Sequence, residues 1–88
     1  MQTEFLDKFS KDLDKIDAKS VKTSVLSVIL NVEESNSIAD IKNIKKLKGH
    51  SDAYRIRIGD YRIGLFIKED IAIFARIVHR KDIYKVFP

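Results

Sequence analysis

The chain has 88 residues, 44% of them hydrophobic, which predicts one globular domain over residues 1–88. It contains no cysteine, and its longest uninterrupted apolar run has five residues, which argues against a disulfide framework, a thiolate metal site and a membrane span. The first residues lack the basic and apolar regions of a signal peptide, and the formal net charge is +4. We therefore expect a soluble, cytoplasmic domain.

The charge is unevenly distributed along the chain. Residues 1–40 contain five lysines and eight acidic residues, whereas residues 41–88 contain twelve basic and five acidic residues. The two parts therefore carry net charges of −3 and +7. A basic half on a small domain suggests a polyanionic partner, most simply a nucleic acid. The alternative is a solvated, lysine-rich surface, which we favour for the run Lys42–Lys48 taken alone.

The first half of the chain predicts a short strand followed by a helical hairpin. MQTEF is the expected strand, and a helix should follow over about residues 8–17, with Asp7 as its N-cap. Ser20 is expected to cap a second helix. The apolar stripe of that helix comprises Val21, Val25, Val28, Ile29 and Val32. In the polar connection that follows, Ser37 and Asp40 can begin one further helical turn.

From about Asn43 the pattern changes to that of strands. IKKLKG predicts a short strand, and YRIRIGDYRIGLFIKEDIAIFARIVH predicts three more, with turns at Gly59-Asp60 and around residues 68–70. A glycine in the first position of a two-residue loop suits a type II′ turn. DIYKVF should form a tail or a last helical turn. The predicted fold is α+β, with the helices on one face of a three- to four-stranded antiparallel sheet.

Alternation of side chains along the strands predicts a sheet face rich in arginine. A two-residue turn at Gly59-Asp60 places Arg57 opposite Arg62, and it places Arg55 opposite Gly64 on the same face. Like charges opposite each other destabilise a sheet, so we interpret this face as a phosphate-binding site. Gly64 would leave room for a ligand backbone. The alternative is a solvated face whose arginines pair with nearby acidic residues.

The next strand is expected to extend both faces of the sheet. Its predicted core set is Ile71, Ile73, Ala75 and Ile77. This register sends Arg76 to the arginine-rich face.

The end of the last strand should lie beside Arg62, so the residues that follow should gather at one rim of the arginine-rich face. They are His79, Arg80, Lys81, Tyr84 and Phe87. A histidine can move a proton near neutral pH, a phenol can donate a hydrogen bond, and an aromatic ring can stack on an unpaired base. In the structural alternative, His79 caps the strand and the two aromatic residues pack against the first helix.

The segments KLKG, AYRIRIGDYRIGLFI and FARIVHRKDIYKVF resemble the RelE/ParE superfamily of toxins from type II toxin–antitoxin systems. The resemblance spans nearly the whole chain and implies an antiparallel sheet with an N-terminal helical hairpin. RelE-like members are ribosome-dependent mRNA endonucleases, whereas ParE-like members inhibit DNA gyrase without cutting RNA. In both groups an antitoxin wraps the toxin and suppresses it.

The resemblance also implies roles for individual residues. Arg55, Arg57 and Arg62 match the sheet-face cations of RelE-like enzymes. Lys81 matches a C-terminal cation, and Phe87 or Tyr84 matches a C-terminal aromatic residue. RelE-like enzymes often have lysines at the first two positions, and arginine cannot serve as a base at neutral pH. We therefore assign proton transfer to His79, with Lys81 and Tyr84 as alternatives.

The resulting expectation is an endoribonuclease that works by attack of a ribose 2′-OH on the adjacent phosphate, without a metal or another cofactor. The expected catalytic residues are His79, Arg62, Lys81 and Tyr84. The expected RNA- or phosphate-binding residues are Arg55, Arg57, Arg76, Arg80 and Phe87. The expected partners are a cognate antitoxin, the ribosome and mRNA, with no membrane. Gyrase inhibition by binding and a non-catalytic nucleic-acid-binding domain are the alternative functions.

Overall fold

The computed structural model describes all of residues 1–88, and its elements confirm the predicted α+β class and the helical hairpin. In chain order they are β1 (Gln2–Phe5), α1 (Asp7–Asp14), α2 (Lys19–Glu34), a 3-10 turn (Ile38–Asp40), β2 (Ile44–Lys46), β3 (Ala53–Ile58), β4 (Tyr61–Lys68), β5 (Ile71–His79) and α3 (Ile83–Val86). No helix is both long enough and apolar enough to cross a membrane.

The sheet has five strands in the order β1-β5-β4-β3-β2, rather than three or four. Strands β2 to β5 form the predicted antiparallel meander. The additional strand is β1, which joins the edge of the sheet and runs parallel to β5, with Gln2 opposite Ile71. The predicted strand MQTEF is therefore part of the same sheet.

Both long helices begin earlier than predicted, α1 by one residue and α2 by two. The amide of Leu6 still donates to the carbonyl of Phe74 at 2.9 Å, so the chain leaves the sheet there and α1 begins at Asp7. The Asp7 carboxylate therefore lies in the first turn, where the helix dipole favours an acid, and not at the N-cap. Similarly, Ser20 is the second residue of α2, which begins at Lys19, and its hydroxyl does not cap the helix.

The turn between β3 and β4 confirms the predicted register. Ile58 pairs with Tyr61 across a two-residue loop, and Gly59 has φ of +54°, as the first position of a type II′ turn requires. The β4–β5 turn also has two residues, Glu69 and Asp70, which have φ of +52° and +63°. Two positive φ values are the mark of a type I′ turn, whose twist suits a hairpin.

The main core lies between the helices and one face of the sheet, which we call the helix face. In α2, Val25 and Val32 are buried in this core, and the rest of the predicted stripe is partly buried beside them. From the sheet, Phe74 packs edge-on against Phe9 of α1, with ring centroids 5.5 Å apart.

A smaller core lies on the opposite face and holds α3 against the sheet. It consists of Leu47, Ala53, Ala75, Ile83 and Phe87. A Cβ atom added to Gly64 would lie 2.5 Å from Cγ of Phe87, so the absent side chain makes room for this ring. The expectation that Gly64 leaves room for a ligand backbone was wrong, because the C-terminal segment fills that space.

A β-bulge changes the register of β5 relative to the prediction. Gly64 pairs with Arg76 and Leu65 pairs with Phe74, so Ala75 is the extra residue. The bulge directs Phe74 and Ala72 to the helix face and Ala75 to the smaller core. Of the four predicted core residues, only Ile77 lies on the helix face. The prediction was wrong for Ile71, Ile73 and Ala75, which precede the bulge or form it.

Arg76 pairs with Gly64, on the predicted face of the sheet, but its guanidinium is bound by α1 and does not line the cleft of the other arginines. Its Nε donates to Oδ2 of Asp12 at 2.7 Å and a terminal nitrogen donates to Oδ1 at 3.0 Å. The same carboxylate accepts the Ile77 amide at 3.1 Å, beyond the last β1 pair at Phe74. The hydrogen bond to Asp12 raises the pKa of Arg76, against the opposing effect of burial. Arg76 is thus held by α1.

Candidate active site

Four cationic side chains share the sheet face opposite α1 and α2. Arg57 pairs with Arg62 across β3 and β4, as predicted, and Arg55 pairs with Lys45 of β2. We call these four residues the arginine face. Together with Asn43 and Ile44, they line a cleft of about 280 Å³. Sequence reasoning missed Lys45, because it lies within the lysine run that was interpreted as a solvated surface.

Arg62 is held in place by the turn that precedes it. One terminal nitrogen of its guanidinium donates to the carbonyls of Gly59 at 2.8 Å and Tyr61 at 2.9 Å. Burial lowers the pKa of Arg62, and the charges of Arg55, Arg57 and Arg80 lower it further, whereas Tyr84 acts in the opposite direction. The guanidinium stays charged. A bound anion would relieve this mutual repulsion.

Arg55 is the central member of the arginine face and has unused hydrogen-bonding capacity. Its Nε is buried and donates to no acceptor in the protein. A buried donor without a partner costs about 1–3 kcal/mol, so such groups are uncommon in native proteins. Arg55 also lines both clefts of this face. An oxyanion bound here is the kind of group that satisfies a guanidinium.

A second cleft, of about 420 Å³, adjoins the first between the β2–β3 connection and the C-terminal segment. It is lined by Lys45, Lys46, Leu47, Lys48, His50, Arg55, Tyr84, Phe87 and Pro88. Because Lys45 and Arg55 line both clefts, a chain of phosphates and bases can extend from one to the other. The second cleft combines cationic side chains with an apolar floor, as a nucleotide requires.

The two C-terminal aromatic residues have different environments. Tyr84 is 65% exposed and lines the second cleft, so its ring and its phenol are available to a ligand. Phe87 is 3% exposed, with its ring 4.9 Å from that of Phe66. The expectation that Phe87 binds RNA by stacking was therefore wrong, because its ring is already packed against the sheet.

His79 lies on the helix face, not at the rim of the arginine face. It pairs with Tyr61, which packs on the main core, and the two rings are 5.9 Å apart, edge to face. Its Nδ1 accepts the amide of Lys81 at 3.2 Å. Continuing the strand alternation from Ile77 for two more residues would have placed His79 on this face. The predicted location of His79 was wrong, because the residues after β5 were treated as if they had left the strand.

His50 is the histidine that lines the cleft. It lies in the connection between β2 and β3, where no alternation of side chains predicts an orientation. Sequence reasoning missed it for this reason. Its only sequence signal is its place directly after KLKG, the first segment of the family resemblance.

Arg80 and Lys81 follow β5 and remain exposed. The amide of Arg80 donates to the carbonyl of Asp60 at 2.8 Å, and its guanidinium lies 3.9 Å from the Asp60 carboxylate. This ion pair is solvated and contributes little to stability. Arg80 stays close enough to affect the pKa of Arg62. Lys81 lines neither cleft, and its ammonium forms no ion pair.

Comparison with protein families identifies one that covers almost the whole chain. Residues 3–84 match the family described as ParE toxin of type II toxin-antitoxin system, parDE. Toxin RelE3 of Methanocaldococcus jannaschii is 42% identical over 89 residues, a match that covers 100% of each chain.

Solved structures agree with this result. A chain of the RelB-RelE antitoxin-toxin complex from Methanococcus jannaschii has 40% identity and a TM-score of 0.81, covering 97% of this chain and 99% of that one. A chain of the archaeal RelE-RelB complex from Pyrococcus horikoshii OT3 has a TM-score of 0.73 over 90% of this chain and 93% of that one, and its 20% identity supports the fold alone. The chain therefore belongs to the ParE toxin family, within the RelE/ParE superfamily of type II toxin–antitoxin systems.

Proposed function

We propose that this protein inhibits translation in the cytoplasm by cutting mRNA on the ribosome. The observation that carries the proposal is the contact between two clefts, one lined by three arginines and a lysine, the other by a histidine and an exposed tyrosine. The first suits a phosphate, and the second suits the neighbouring base together with groups that move protons. The likeness to Toxin RelE3 over the full length supports a toxin of the RelE type.

The arginines bind and stabilise the reacting phosphate. Attack of a ribose 2′-OH on the adjacent phosphorus forms a phosphorane, whose breakdown leaves a 2′,3′-cyclic phosphate and a free 5′-OH. Negative charge develops on the phosphorane oxygens, and preorganised guanidinium groups stabilise it. Arg62 is preorganised by its two carbonyl contacts, and Arg55 offers its unpaired Nε. The solvated Arg80 and Lys81 bind flanking phosphates in this scheme.

Proton transfer is assigned to groups that line the clefts. His50 and Lys45 are candidates for the base that removes the 2′-OH proton, because both line the clefts and each carries a nitrogen that can take up a proton. Tyr84 can donate its phenolic proton to the leaving 5′ oxygen or hold a base by stacking. His79 has no part in this scheme, because it lies on the helix face.

A cognate antitoxin is the proposed protein partner. The related chain at 40% identity belongs to a RelB-RelE antitoxin-toxin complex. An acidic segment or a helix laid over the arginine face would neutralise its unpaired charges and close both clefts. Antitoxin binding and RNA binding should therefore exclude each other.

The two histidines provide a matched pair of variants for testing the proposal. The wild type, His50→Ala, His79→Ala and Arg62→Ala are induced to equal levels in a bacterial host, and the 5′ ends of translated transcripts are mapped within minutes. We expect in-frame cuts with the wild type and with His79→Ala. We expect roughly 10²-fold fewer cuts with His50→Ala and Arg62→Ala, since a general base and a phosphate-binding arginine each contribute about that factor.

The same experiment separates the alternative functions. Growth arrest with intact transcripts and altered DNA supercoiling would contradict mRNA cleavage and favour gyrase inhibition, the activity suggested by the ParE name of the family. Neither growth arrest nor cleavage would favour a nucleic-acid-binding domain. Loss of cutting in His79→Ala with full cutting in His50→Ala would overturn the assignment of the site.

A further inference from the structure

The outward face of α2 carries an apolar ridge that nothing in the chain covers. Lys22, Leu26, Leu30 and Glu34 follow one another at four-residue intervals, so they form one continuous row on the helix surface. Leu26 is 58% exposed and Leu30 is 49% exposed, whereas Val25 and Val32 fill the core on the other side. Two leucines exposed to this extent, one turn apart, are a suitable centre for an interface.

The charges at the two ends of this ridge are unfavourable within one copy of the chain. The first turn of α2 contains no acid and its last turn contains no base, although the helix dipole favours both. Instead, Lys22 lies near the positive end and Glu34 forms the negative end. Neither side chain forms an ion pair within the protein. Both charges are therefore available to form ion pairs with another protein chain.

The order of residues along the ridge is complementary to the same order in a second, antiparallel copy of α2. In an antiparallel second copy, related by a two-fold axis that passes between Leu26 and Leu30, Leu26 lies against Leu30 of the second copy. The same axis sets Lys22 against Glu34 of the second copy, and each contact occurs twice. Rows with four-residue spacing on two helices pack at a crossing angle near −50°, the commonest arrangement in globular proteins. One register thus buries four leucines and pairs all four charges.

We propose that this protein forms a two-fold symmetric homodimer through α2. A helix of an unrelated partner would also cover the leucines, but the self-complementary order of the ridge favours a second copy. Because α2 spans only 16 residues, the interface is smaller than that of stable dimers, and we expect a weak dimer that forms only at high protein concentration. The arginine face is on the other side of the sheet, so the dimer leaves both clefts open.

Sedimentation equilibrium of the full chain, from about 5 µM to about 1 mM, tests the proposal. We expect a monomer–dimer equilibrium that Leu26→Glu weakens at least tenfold. Lys8→Gln, which lowers the net charge by the same one unit on the exposed surface of α1, serves as the control and should leave the equilibrium unchanged. Because the leucines are exposed in one copy, none of these variants should lower the melting temperature of the monomer by more than a few degrees.

Exchanging the two charges tests the register itself. Lys22→Glu and Glu34→Lys should each weaken the dimer at low salt, because each creates two like-charge contacts. The double variant Lys22→Glu/Glu34→Lys should restore dimerisation, and so should an equimolar mixture of the two single variants. A chain that stays monomeric at 1 mM would overturn the proposal, as would a double variant no better than either single one. If Leu26→Glu weakens only the binding of the antitoxin, the face belongs to that partner instead.

Discussion

At the scale of single residues, Tyr84 and Phe87 lie three positions apart and have different roles: Tyr84 is available to a ligand, whereas Phe87 is part of the packing. Both are C-terminal aromatic residues, and either matches the aromatic position of the family resemblance. Tyr84 is exposed in the cleft, whereas Phe87 packs over Gly64. Only burial distinguishes them, and sequence alone does not show it, because the four-residue helix α3 is too short for a clear apolar period.

Two variants of Tyr84 distinguish its ring from its hydroxyl. Tyr84→Phe retains the ring, so RNA binding should stay within about twofold while cleavage falls at least tenfold if the phenol supplies a proton. Tyr84→Ala should also weaken binding, since stacking on an aromatic ring contributes about 1–3 kcal/mol per base. Binding by fluorescence anisotropy and single-turnover cleavage measure the two effects. Full cleavage by Tyr84→Phe would show that the phenol moves no proton.

At the scale of elements, strands β3 and β5 differ in how well sequence predicts them. In β3, isoleucine alternates with arginine, so the two faces differ and only one register buries the apolar set. In the first half of β5, Ile71 and Ile73 alternate with Ala72 and Phe74, so both candidate faces are apolar. The alternation of side chains therefore does not show which face of this part of β5 is buried in the main core. For the same reason the bulge at Ala75 could not be predicted.

The contact between α1 and β5 is expected to contribute strongly to stability. Asp12→Ala would leave the Arg76 guanidinium and the Ile77 amide without an acceptor. We expect the free energy of unfolding to fall by about 3 kcal/mol, as for other ion pairs that are largely buried. Asp14→Ala, on the exposed side of the same helix, should change it by about 0.5 kcal/mol or less. Urea denaturation measures both, and equal losses would contradict a specific role for Asp12.

The packing of α3 on the sheet depends on Gly64, which has no side chain. Gly64→Ala would place a methyl group against the Phe87 ring, and overpacking of this kind costs about 1–3 kcal/mol. The C-terminal segment should shift, moving Tyr84 away from Arg55 and lowering cleavage. Phe87→Leu added to Gly64→Ala should recover part of the lost stability. If the two substitutions were simply additive in thermal unfolding, Gly64 and Phe87 would not be coupled.

At the scale of the whole molecule, the uneven charge of the sequence becomes a division between two faces of the sheet. The arginine face comes from the basic half, while the acidic first half supplies α1, α2 and the edge strand β1. A polyanionic partner could be inferred from the sequence because charge counts do not depend on register. The location of His50 could not be inferred, because it depends on the conformation of the β2–β3 connection, whereas Lys45 was missed because its strand lies within a lysine run that is typical of a solvated surface.

The salt dependence of RNA binding should measure how many phosphate contacts the arginine face makes. For single-stranded RNA, the logarithm of the binding constant falls with the logarithm of salt concentration by about 0.7 for each phosphate contact. Arg57→Gln should reduce this slope by about 0.7, whereas Lys11→Gln, on α1, should leave it unchanged. Titrations at several salt concentrations provide the slopes. An equal reduction by both substitutions would indicate a diffuse charge effect without a defined site.

The parallel pairing of β1 with β5 has a consequence for synthesis of the chain. Gln2 finds its partner in Ile71, a residue made 69 positions later, so the strand translated first is among the last to be paired. Pairings this distant in sequence form late in folding. A nascent chain that stops before Ile71 carries Arg55, Arg57 and Arg62 but neither the strand that completes the sheet nor the segment bearing Tyr84. Translation products that end before Ile71 should therefore be harmless, and the ribosome that makes this protein is exposed to a finished site only after β5 and the segment with Tyr84 have been synthesised.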